Sequence, residues 1–197
     1  MATNRKNVPP HYYTLEEYFA LEGASDARFE YWNGDIVCMS GGTRAHLQIS
    51  DNVFFNLRLN LRGRQCQAFT ANVAIKTPTL PPYRYPDAAV VCGEPKFEKM
   101  HGVDVLTNPI LIVEVMSPST AGDDQGQKFT AYQTIPTFME YLLIEQNSVR
   151  VIHYKRESPG KWSREDITDI NASVMLSSTD CSLNLSEIYE NVALSGS

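Results

Sequence analysis

The sequence predicts a single α/β (α+β) domain, and three observations support this. The chain has 197 residues, of which 43% are hydrophobic and 20% charged, as is typical of a globular protein with a substantial core. Strand-like apolar runs are mixed with segments of helical periodicity. No internal repeat or convincing linker interrupts them. We therefore expect one domain over residues 12–192, with a flexible tail over 1–11 and a short tail over 193–197.

The first third of the chain predicts two helices and a hairpin. Thr14 and Glu17 have the spacing of a capping box, which begins a short helix. The dipeptide Asn33-Gly34 between two apolar runs is typical of a type I′ hairpin turn. A longer helix, closed by Gly63, follows from an apolar stripe. The stripe comprises Leu47, Ser50, Phe54, Leu57 and Leu61, and Ile49 and Val53 widen it.

The rest of the chain alternates between predicted strands and helices. Residues 65–77 predict one strand, or two with a bend, and residues 92–109 predict a loop. Gly126 weakens an otherwise regular helical pattern over 119–135. The remaining predictions are strands at 87–91 and 110–115, a strand pair at 138–145 and 148–155, and then strand-poor turns with a short helix at 185–192.

Charge and motifs exclude several classes of protein. The net charge of −6 argues against coating nucleic acid by bulk electrostatics, although a local basic surface stays compatible with it. No signal peptide, membrane span, P-loop, dinucleotide fingerprint or H-E-x-x-H motif is present, so we expect no membrane, no nucleotide cofactor and no zinc protease. The cysteines form no CxxC pair, which predicts small buried side chains in a reducing, cytoplasmic interior rather than a disulfide framework. They are Cys38, Cys66, Cys92 and Cys181.

Glu114 interrupts an otherwise apolar strand, residues 110–115. An ionised buried carboxylate needs a partner, because burying it alone costs several kcal/mol. The preceding strand begins at Asp87, so two antiparallel neighbours would place Asp87 beside Glu114. Adjacent carboxylates repel unless a cation lies between them, and hard oxygen ligands suit Mg²⁺ or Mn²⁺. The sequence therefore predicts a divalent metal site suited to phosphate chemistry.

Lys128 is the predicted fixed cation of this site, since its helix directly follows the Glu114 strand. The structural alternative is an ion pair with Asp124, one helical turn earlier. Asp87 has an alternative of its own as a turn-capping residue after Pro86. The structural alternative for Glu114 is an ion pair, for instance with Arg84.

Taken in order, these segments resemble the PD-(D/E)XK nuclease superfamily, and within it the restriction endonuclease-like branch. The segments are "YPDAAVV", "PILIVEVMSPST", Lys128 and Tyr132 in "DDQGQKFTAYQ", and "PTFMEYLLIE", with "FEYWNGDIV" and "TRAHLQIS" upstream. The resemblance runs from about Tyr13 to Val192. It implies a central mixed β-sheet flanked by helices, Mg²⁺-dependent cleavage of DNA phosphodiester bonds, and often a homodimer.

Carried over residue by residue, the resemblance makes Asp87 and Glu114 the metal ligands and Lys128 the lysine that positions the attacking water. Glu30 and His46 match upstream positions of the branch and would complete the site. Each also has a structural alternative, Glu30 as a solvent-facing strand residue and His46 as a hydrogen-bonded packing residue. Tyr132 is expected to line the core and steady the lysine stem.

One position departs from the superfamily pattern. The motif places a lysine two residues after the second acidic residue, and here that residue is Met116. Met116 and the negative net charge favour an alternative function, a nucleic-acid- or protein-binding module that keeps the fold without turnover. A purely structural homodimer is a third hypothesis. The predicted phosphate contacts are Arg58, Arg62, Arg64 and Arg84, of which the first three have a solvated helix face as their alternative.

Overall fold

The computed structural model describes residues 12–25, 27–32, 34–39, 41–117 and 121–194. The chain divides into two compact units, residues 1–40 and 41–197. The predicted single domain stays a prediction. The predicted tails lie outside the described residues, apart from residues 193 and 194.

The first unit contains a capped helix and a hairpin, as the sequence predicts. Helix α1 (Leu15–Ala24) begins at Thr14, whose side chain accepts a hydrogen bond from Glu17 N at 3.2 Å. The Glu17 carboxylate accepts from Thr14 N at 2.7 Å, which completes the capping box. Strands β1 (Phe29–Trp32) and β2 (Asp35–Cys38) pair antiparallel around a two-residue connection. The first residue of that connection lies outside the described residues.

The second unit begins with the long helix α2 (Arg44–Asn60). Its strands are, in chain order, β3 (Cys66–Thr70), β4 (Ala74–Lys76), β5 (Tyr83–Arg84), β6 (Ala88–Cys92), β7 (Phe97–Met100), β8 (Val103–Leu106), β9 (Leu111–Met116), β10 (Glu140–Glu145), β11 (Val151–Ser158), β12 (Lys161–Ile167), β13 (Ser173–Leu176) and β14 (Cys181–Asn184). Its other helical pieces are α3 (Ala121–Asp123), a π-helical segment (Asp124–Lys128), α4 (Phe129–Gln133) and α5 (Leu185–Ile188).

A six-stranded mixed sheet forms the centre of this unit, with strand order β12-β11-β10-β9-β6-β3. Strands β9 and β10 run parallel, and the other neighbours pair antiparallel. This confirms the predicted mixed α/β architecture. A four-stranded sheet of order β5-β4-β8-β7 and the hairpin β13-β14 complete the strands of the described residues.

Helices cover both faces of the central sheet. Alternation along β9 sends Leu111, Val113 and Val115 into the cluster that α2 packs against, and Ile112 and Met116 into the cluster that contains α4. Glu114 therefore belongs to the α4 side of the sheet. This layering places β9 between two helical layers, and both layers can contribute side chains to its end.

The buried stripe of α2 differs from the predicted one. Ile49, Val53 and Leu57 are buried, whereas Leu47 is 51% exposed. The predicted apolar stripe was centred on the helix face of Leu47 and Phe54, which is next to the face that is buried. Ile49 and Val53, which were predicted only to widen the stripe, form its middle together with Leu57, because the three follow the i, i+4 spacing of one helix face.

Two strand predictions were wrong. The predicted loop over 92–109 contains the hairpin β7-β8, and the strand-poor C-terminal region contains β12, β13 and β14. Both β7 and β12 are edge strands with largely exposed, charged side chains. Such strands lack the apolar alternation from which half-buried strands are predicted.

The cysteine prediction was also wrong in part. Cys66 of β3 lies directly opposite Cys92 of β6, and the two form a disulfide. Cys38 is exposed, and Cys181 is buried as predicted. The pairing depends on the register of two antiparallel strands, which the 26-residue separation of the cysteines does not reveal.

Glu140, at the start of β10, anchors the β13-β14 hairpin to the central sheet. Its buried carboxylate lies 3.0 Å from His153 Nε2 and accepts hydrogen bonds from Ser177 N at 3.1 Å and Ser178 N at 2.8 Å. The Ser177 and Ser178 hydroxyls also donate to it. Burial would raise the pKa of Glu140, but the hydrogen bonds from His153 and Ser178 outweigh burial and hold the pKa below its ordinary value.

In the part of the chain that the structure describes, no helix has the length and apolarity to cross a membrane.

Candidate functional site

The site begins where strands β6 and β9 meet. The two strands pair antiparallel with Ala88 opposite Val113, so Asp87, the residue before β6, comes beside Glu114. The backbone N–H of Val115 donates to Asp87 Oδ2 at 2.6 Å. This is the antiparallel arrangement on which the predicted carboxylate pair depends. The strand register therefore brings two residues far apart in sequence to one end of the sheet.

Two side chains of α2 reach the other oxygen of Asp87. His46 Nε2 lies 2.9 Å from Asp87 Oδ1, and Ser50 Oγ donates to the same atom at 3.2 Å. His46 and Ser50 are one helical turn apart, so they share a face of α2. Burial would lower the pKa of His46, but the hydrogen bond and negative charge of Asp87 outweigh burial and raise the pKa. Asp87 is thus fixed by α2 on one side and by the β9 backbone on the other.

Glu114 is held by the helical pieces that follow its strand. It is 3% exposed, and each of its carboxylate oxygens has a partner. The Tyr132 hydroxyl donates to Oε1 at 3.1 Å, and Lys128 Nζ lies 3.2 Å from Oε2. Tyr132 is fully buried and contacts the carboxylate itself, so it does more than line the core. The side chains of Lys128 and Tyr132 both point into the predicted site.

The Lys128 ammonium also lies 3.0 Å from Asp124 Oδ1. The structural alternative for Lys128, an ion pair with Asp124, is therefore present, and the ammonium also lies beside Glu114. Its part in a metal site stays a prediction. The three side chains are almost completely buried, with 1% exposure at Asp124, 3% at Glu114 and 4% at Lys128. Charges in such surroundings interact strongly because water screens them little.

A π-helical turn carries Asp124 and Lys128. The predicted regular helix is interrupted there, and the hydroxyl of Tyr141 in β10 donates to the Asp124 carbonyl at 3.1 Å. Single π turns within α-helices often mark functional positions. Gly126, whose presence weakened the helix prediction, lies inside this turn. The first residues of the predicted helix, 119 and 120, lie outside the described residues.

Met116, at the position of the superfamily's lysine, belongs to the core. It is 3% exposed, and its sulfur lies 3.7 Å from Gln125 Nε2. Strand alternation puts Met116 on the same face as Glu114, where a lysine would reach the carboxylate. In this chain the cation beside Glu114 comes from Lys128 instead.

Three carboxylates and one ammonium gather at this end of the sheet among the described residues. The carboxylates belong to Asp87, Glu114 and Asp124, and the ammonium to Lys128. His46 adds a positive charge only when it is protonated.

The donor set fits Mg²⁺ or Mn²⁺. Asp87 and Glu114 offer hard carboxylate oxygens from neighbouring strands, and Mg²⁺ typically binds one or two carboxylates and keeps several waters. Among the described residues, no three or more His, Cys, Asp or Glu side chains are grouped so that they could form an all-protein metal cage or otherwise hold a metal ion together. An all-protein cage of that kind is what Zn²⁺ needs for a structural site, and Mg²⁺ does not.

The structure does not bring the helix arginines to the carboxylates. Arg58 and Arg62 are exposed near the C-terminal end of α2, and Arg64 pairs with Asp180 at 2.8 Å. Arg58 is twelve residues beyond His46, about 18 Å along the helix axis. Arg84, in β5, is 3% exposed. All four phosphate contacts stay predictions, and the first three would contact phosphates away from the carboxylates.

Glu30 lies in β1 of the first unit, opposite Val37. Its part in the site stays a prediction.

The sequence analysis gave two residues of the site other roles. Ser50 was placed on the apolar stripe, and Asp124 was considered only as a salt-bridge partner. The i, i+4 spacing of His46 and Ser50 on one helix was the available signal for Ser50.

The chain matches, over residues 15–186, the model of the Uma2 family, which is described as "Putative restriction endonuclease". It belongs to the Uma2 family. Two relatives from Synechocystis sp. (strain ATCC 27184 / PCC 6803 / Kazusa), both called uncharacterized proteins, are similar to this chain. One is 35% identical over 83% of this chain and 92% of its own length, and the other is 33% identical over 75% and 76%.

A solved structure gives an independent comparison of the fold. This Uma2 chain superposes on a protein of Anabaena variabilis, described as a "putative nuclease belonging to DUF820", with a TM-score of 0.66. The superposition covers 86% of this chain and 93% of the other at 15% identity, so it supports the fold alone. The family match and this fold agree with the resemblance to the PD-(D/E)XK nuclease superfamily.

Proposed function

We propose that this Uma2 protein is a Mg²⁺- or Mn²⁺-dependent endonuclease that hydrolyses DNA phosphodiester bonds. One observation carries the proposal. Asp87 and Glu114 lie side by side on neighbouring strands, and the Lys128 ammonium is 3.2 Å from Glu114. Two carboxylates with a fixed cation form a site for phosphate chemistry, since the reaction develops negative charge at phosphorus.

Asp87 and Glu114 are the residues that would hold the metal. When bound, the cation supplies charge that polarises the phosphoryl oxygen and lowers the pKa of coordinated water. His46, Ser50 and the Val115 amide fix the orientation of Asp87, while Tyr132 fixes Glu114. The Lys128 ammonium would orient the attacking water and offset the developing charge, a role supported by its 3.2 Å distance from Glu114.

The comparisons support the same class of reaction. The family description names a restriction endonuclease, and the Anabaena protein of the same fold is described as a nuclease. The three carboxylates gathered around Lys128 are a third line of support, because a divalent cation would offset their negative charge.

A binding module without turnover is the second candidate, favoured by Met116 in place of the superfamily's lysine. The position of Lys128 weighs against it, because a module that only binds DNA needs no ammonium buried against a carboxylate pair. The two candidates differ in their response to Glu114→Gln. This substitution would abolish cleavage by an enzyme and leave the DNA affinity of a binding module largely intact.

Titration calorimetry with Mn²⁺ and Mg²⁺ is the first test, on the wild type, on Asp87→Asn and on Asp104→Asn as a control. Asp104 is an exposed carboxylate of β8, so its amide variant makes the same change in net charge away from the site. We expect metal binding in the wild type and Asp104→Asn, and its loss in Asp87→Asn. Each titration is repeated with a DNA duplex, because some nucleases bind metal only with substrate present.

Absence of binding in the folded wild type, with and without DNA, would overturn the proposal. Cleavage of supercoiled plasmid and of single-stranded DNA is measured next, since the form of the substrate is open. Assembly as a homodimer also stays a prediction, and sedimentation equilibrium tests it.

A further inference from the structure

We propose that Asp124 is a positioning residue, which keeps the Lys128 ammonium beside Glu114 when a divalent cation binds there. The inference rests on the proposed metal-dependent function and deepens it. It assigns a task to the third carboxylate of the site, which the proposed reaction does not use. Asp124 is also among the most deeply buried charged residues of the described chain, at 1% exposure.

The geometry makes Lys128 a bridge between two carboxylates. Its Nζ is 3.2 Å from Glu114 Oε2 and 3.0 Å from Asp124 Oδ1. The two carboxylates come from different elements, Glu114 from β9 and Asp124 from the π-helical turn. The ammonium is therefore attached on one side to a proposed metal ligand and on the other to a residue outside the carboxylate pair.

Metal binding would set two cations in competition for Glu114. A divalent ion at Asp87 and Glu114 repels the nearby ammonium, and the repulsion is large in a buried site. Without a second anchor, Lys128 would leave or the metal would bind weakly. Asp124 removes this competition for Glu114, because its carboxylate keeps the Lys128 ammonium paired after the metal binds.

The π-helical turn provides the rigidity that such an anchor needs. Lys128 closes the five-residue segment that Asp124 opens, so both partners belong to one turn. The Tyr141 hydroxyl holds the Asp124 carbonyl at 3.1 Å, which ties the start of the turn to the central sheet. The anchor is thus fixed to the same sheet that presents Glu114.

A double-mutant cycle on Mn²⁺ affinity tests the proposal by calorimetry. The variants are Asp124→Asn, Lys128→Met and the double variant, with Asp123→Asn as the matched control for an adjacent charge in the same helical region. We expect Asp124→Asn to weaken Mn²⁺ binding about tenfold and Lys128→Met to strengthen it about tenfold. The double variant should bind Mn²⁺ within about threefold of Lys128→Met, because Asp124 acts through the lysine. Asp123→Asn should stay within about threefold of the wild type.

The outcomes separate the two proposals. Unchanged Mn²⁺ affinity in Asp124→Asn, with normal binding by the wild type, would overturn the role of Asp124 and leave the nuclease proposal standing. Failure of the wild type to bind Mn²⁺, alone and with a duplex, would overturn both. A purely structural ion pair predicts that the single variants lose thermal stability while Mn²⁺ affinity stays constant across the cycle.

The cycle remains decisive if Asp124→Asn fails to fold. Lys128→Met and the double variant then carry the test, since the double variant replaces the buried ion pair by neutral side chains of similar size. Mn²⁺ binding that is tighter than in the wild type and equal in the two variants supports the proposal. Tighter binding in Lys128→Met than in the double variant contradicts it, because Asp124 would then act on the metal through its own charge.

Discussion

Two buried glutamates at opposite ends of the central sheet satisfy their charge in different ways. Glu140, at the start of β10, is surrounded by the hydroxyl and N–H groups of two serines and by His153. Glu114, near the end of β9, is held by Lys128 and Tyr132 and lies beside Asp87. The parallel register puts Glu114 opposite Leu143, so the two glutamates are about 10 Å apart along the strands and on opposite faces.

The difference distinguishes a structural carboxylate from one that we propose to be functional. Around Glu140, one carboxylate meets several hydrogen-bond donors, so the charge is fully compensated and its task is to hold a hairpin. Around Glu114, the carboxylates of Asp87 and Asp124 and the ammonium of Lys128 gather at one strand end. Burial alone is therefore a poor sign of function, and several ionisable groups gathered in one place are a better one.

The largest effect we expect to separate the two glutamates is on cleavage. Glu114→Gln should lower the rate of metal-dependent DNA cleavage by about a thousandfold or more, because it removes a proposed metal ligand. Its metal-free stability should change by less than about 1 kcal/mol, since Tyr132 can still donate to the amide oxygen and Lys128 keeps Asp124. Cleavage rates are measured at saturating Mg²⁺, and stability by urea unfolding in EDTA.

Retention of cleavage in Glu114→Gln would contradict the assignment of Glu114 as a functional carboxylate. A large loss of metal-free stability would instead make Glu114 a structural residue like Glu140, and the comparison would then fail.

The second-largest effect that we expect is on stability, and it concerns Glu140 rather than Glu114. Glu140→Gln should lower the free energy of unfolding by about 2–3 kcal/mol, because an amide –NH₂ would face the N–H donors of Ser177 or Ser178. The cleavage rate per folded molecule should be unchanged, since Glu140 lies at the far end of the sheet. Urea unfolding measures the loss, with the exposed Glu94→Gln as the control that should change little.

The fold was largely predictable where local chemistry determines it. The capping box of α1, the strand of Glu114 and the pair β10-β11 follow from capping and apolar patterns, and the structure confirms them. Edge strands such as β7 and β12 were missed because exposed, charged strands leave no such pattern. The Cys66–Cys92 disulfide was missed because only tertiary register brings the two residues together.

The candidate site shows the same division. Asp87, Glu114 and Lys128 could be proposed from the sequence, since a carboxylate in an apolar strand and a lysine just after it are local signals. Lys128 bridges Glu114 and Asp124 because a π-helical turn carries it. The only sign of this turn that we found in the sequence is Gly126. Glu140 could not be recognised as structural, because its serine partners are 37 and 38 residues away in the chain.

The smallest expected effect concerns pH, and it sharpens the account of Glu140. Hydrogen bonds hold its pKa below the ordinary value of 4.5, so its contribution to stability is complete above that pH and is lost as pH falls through the lower, folded-state pKa. The stability difference between wild type and Glu140→Gln should thus be constant near neutral pH. It should shrink to about 1 kcal/mol or less in acid, where a protonated glutamic acid resembles glutamine. Urea unfolding of both proteins between pH 7 and pH 3 measures this. A difference that stayed constant over the whole range would mean that the ionised carboxylate is not what secures the β13-β14 hairpin.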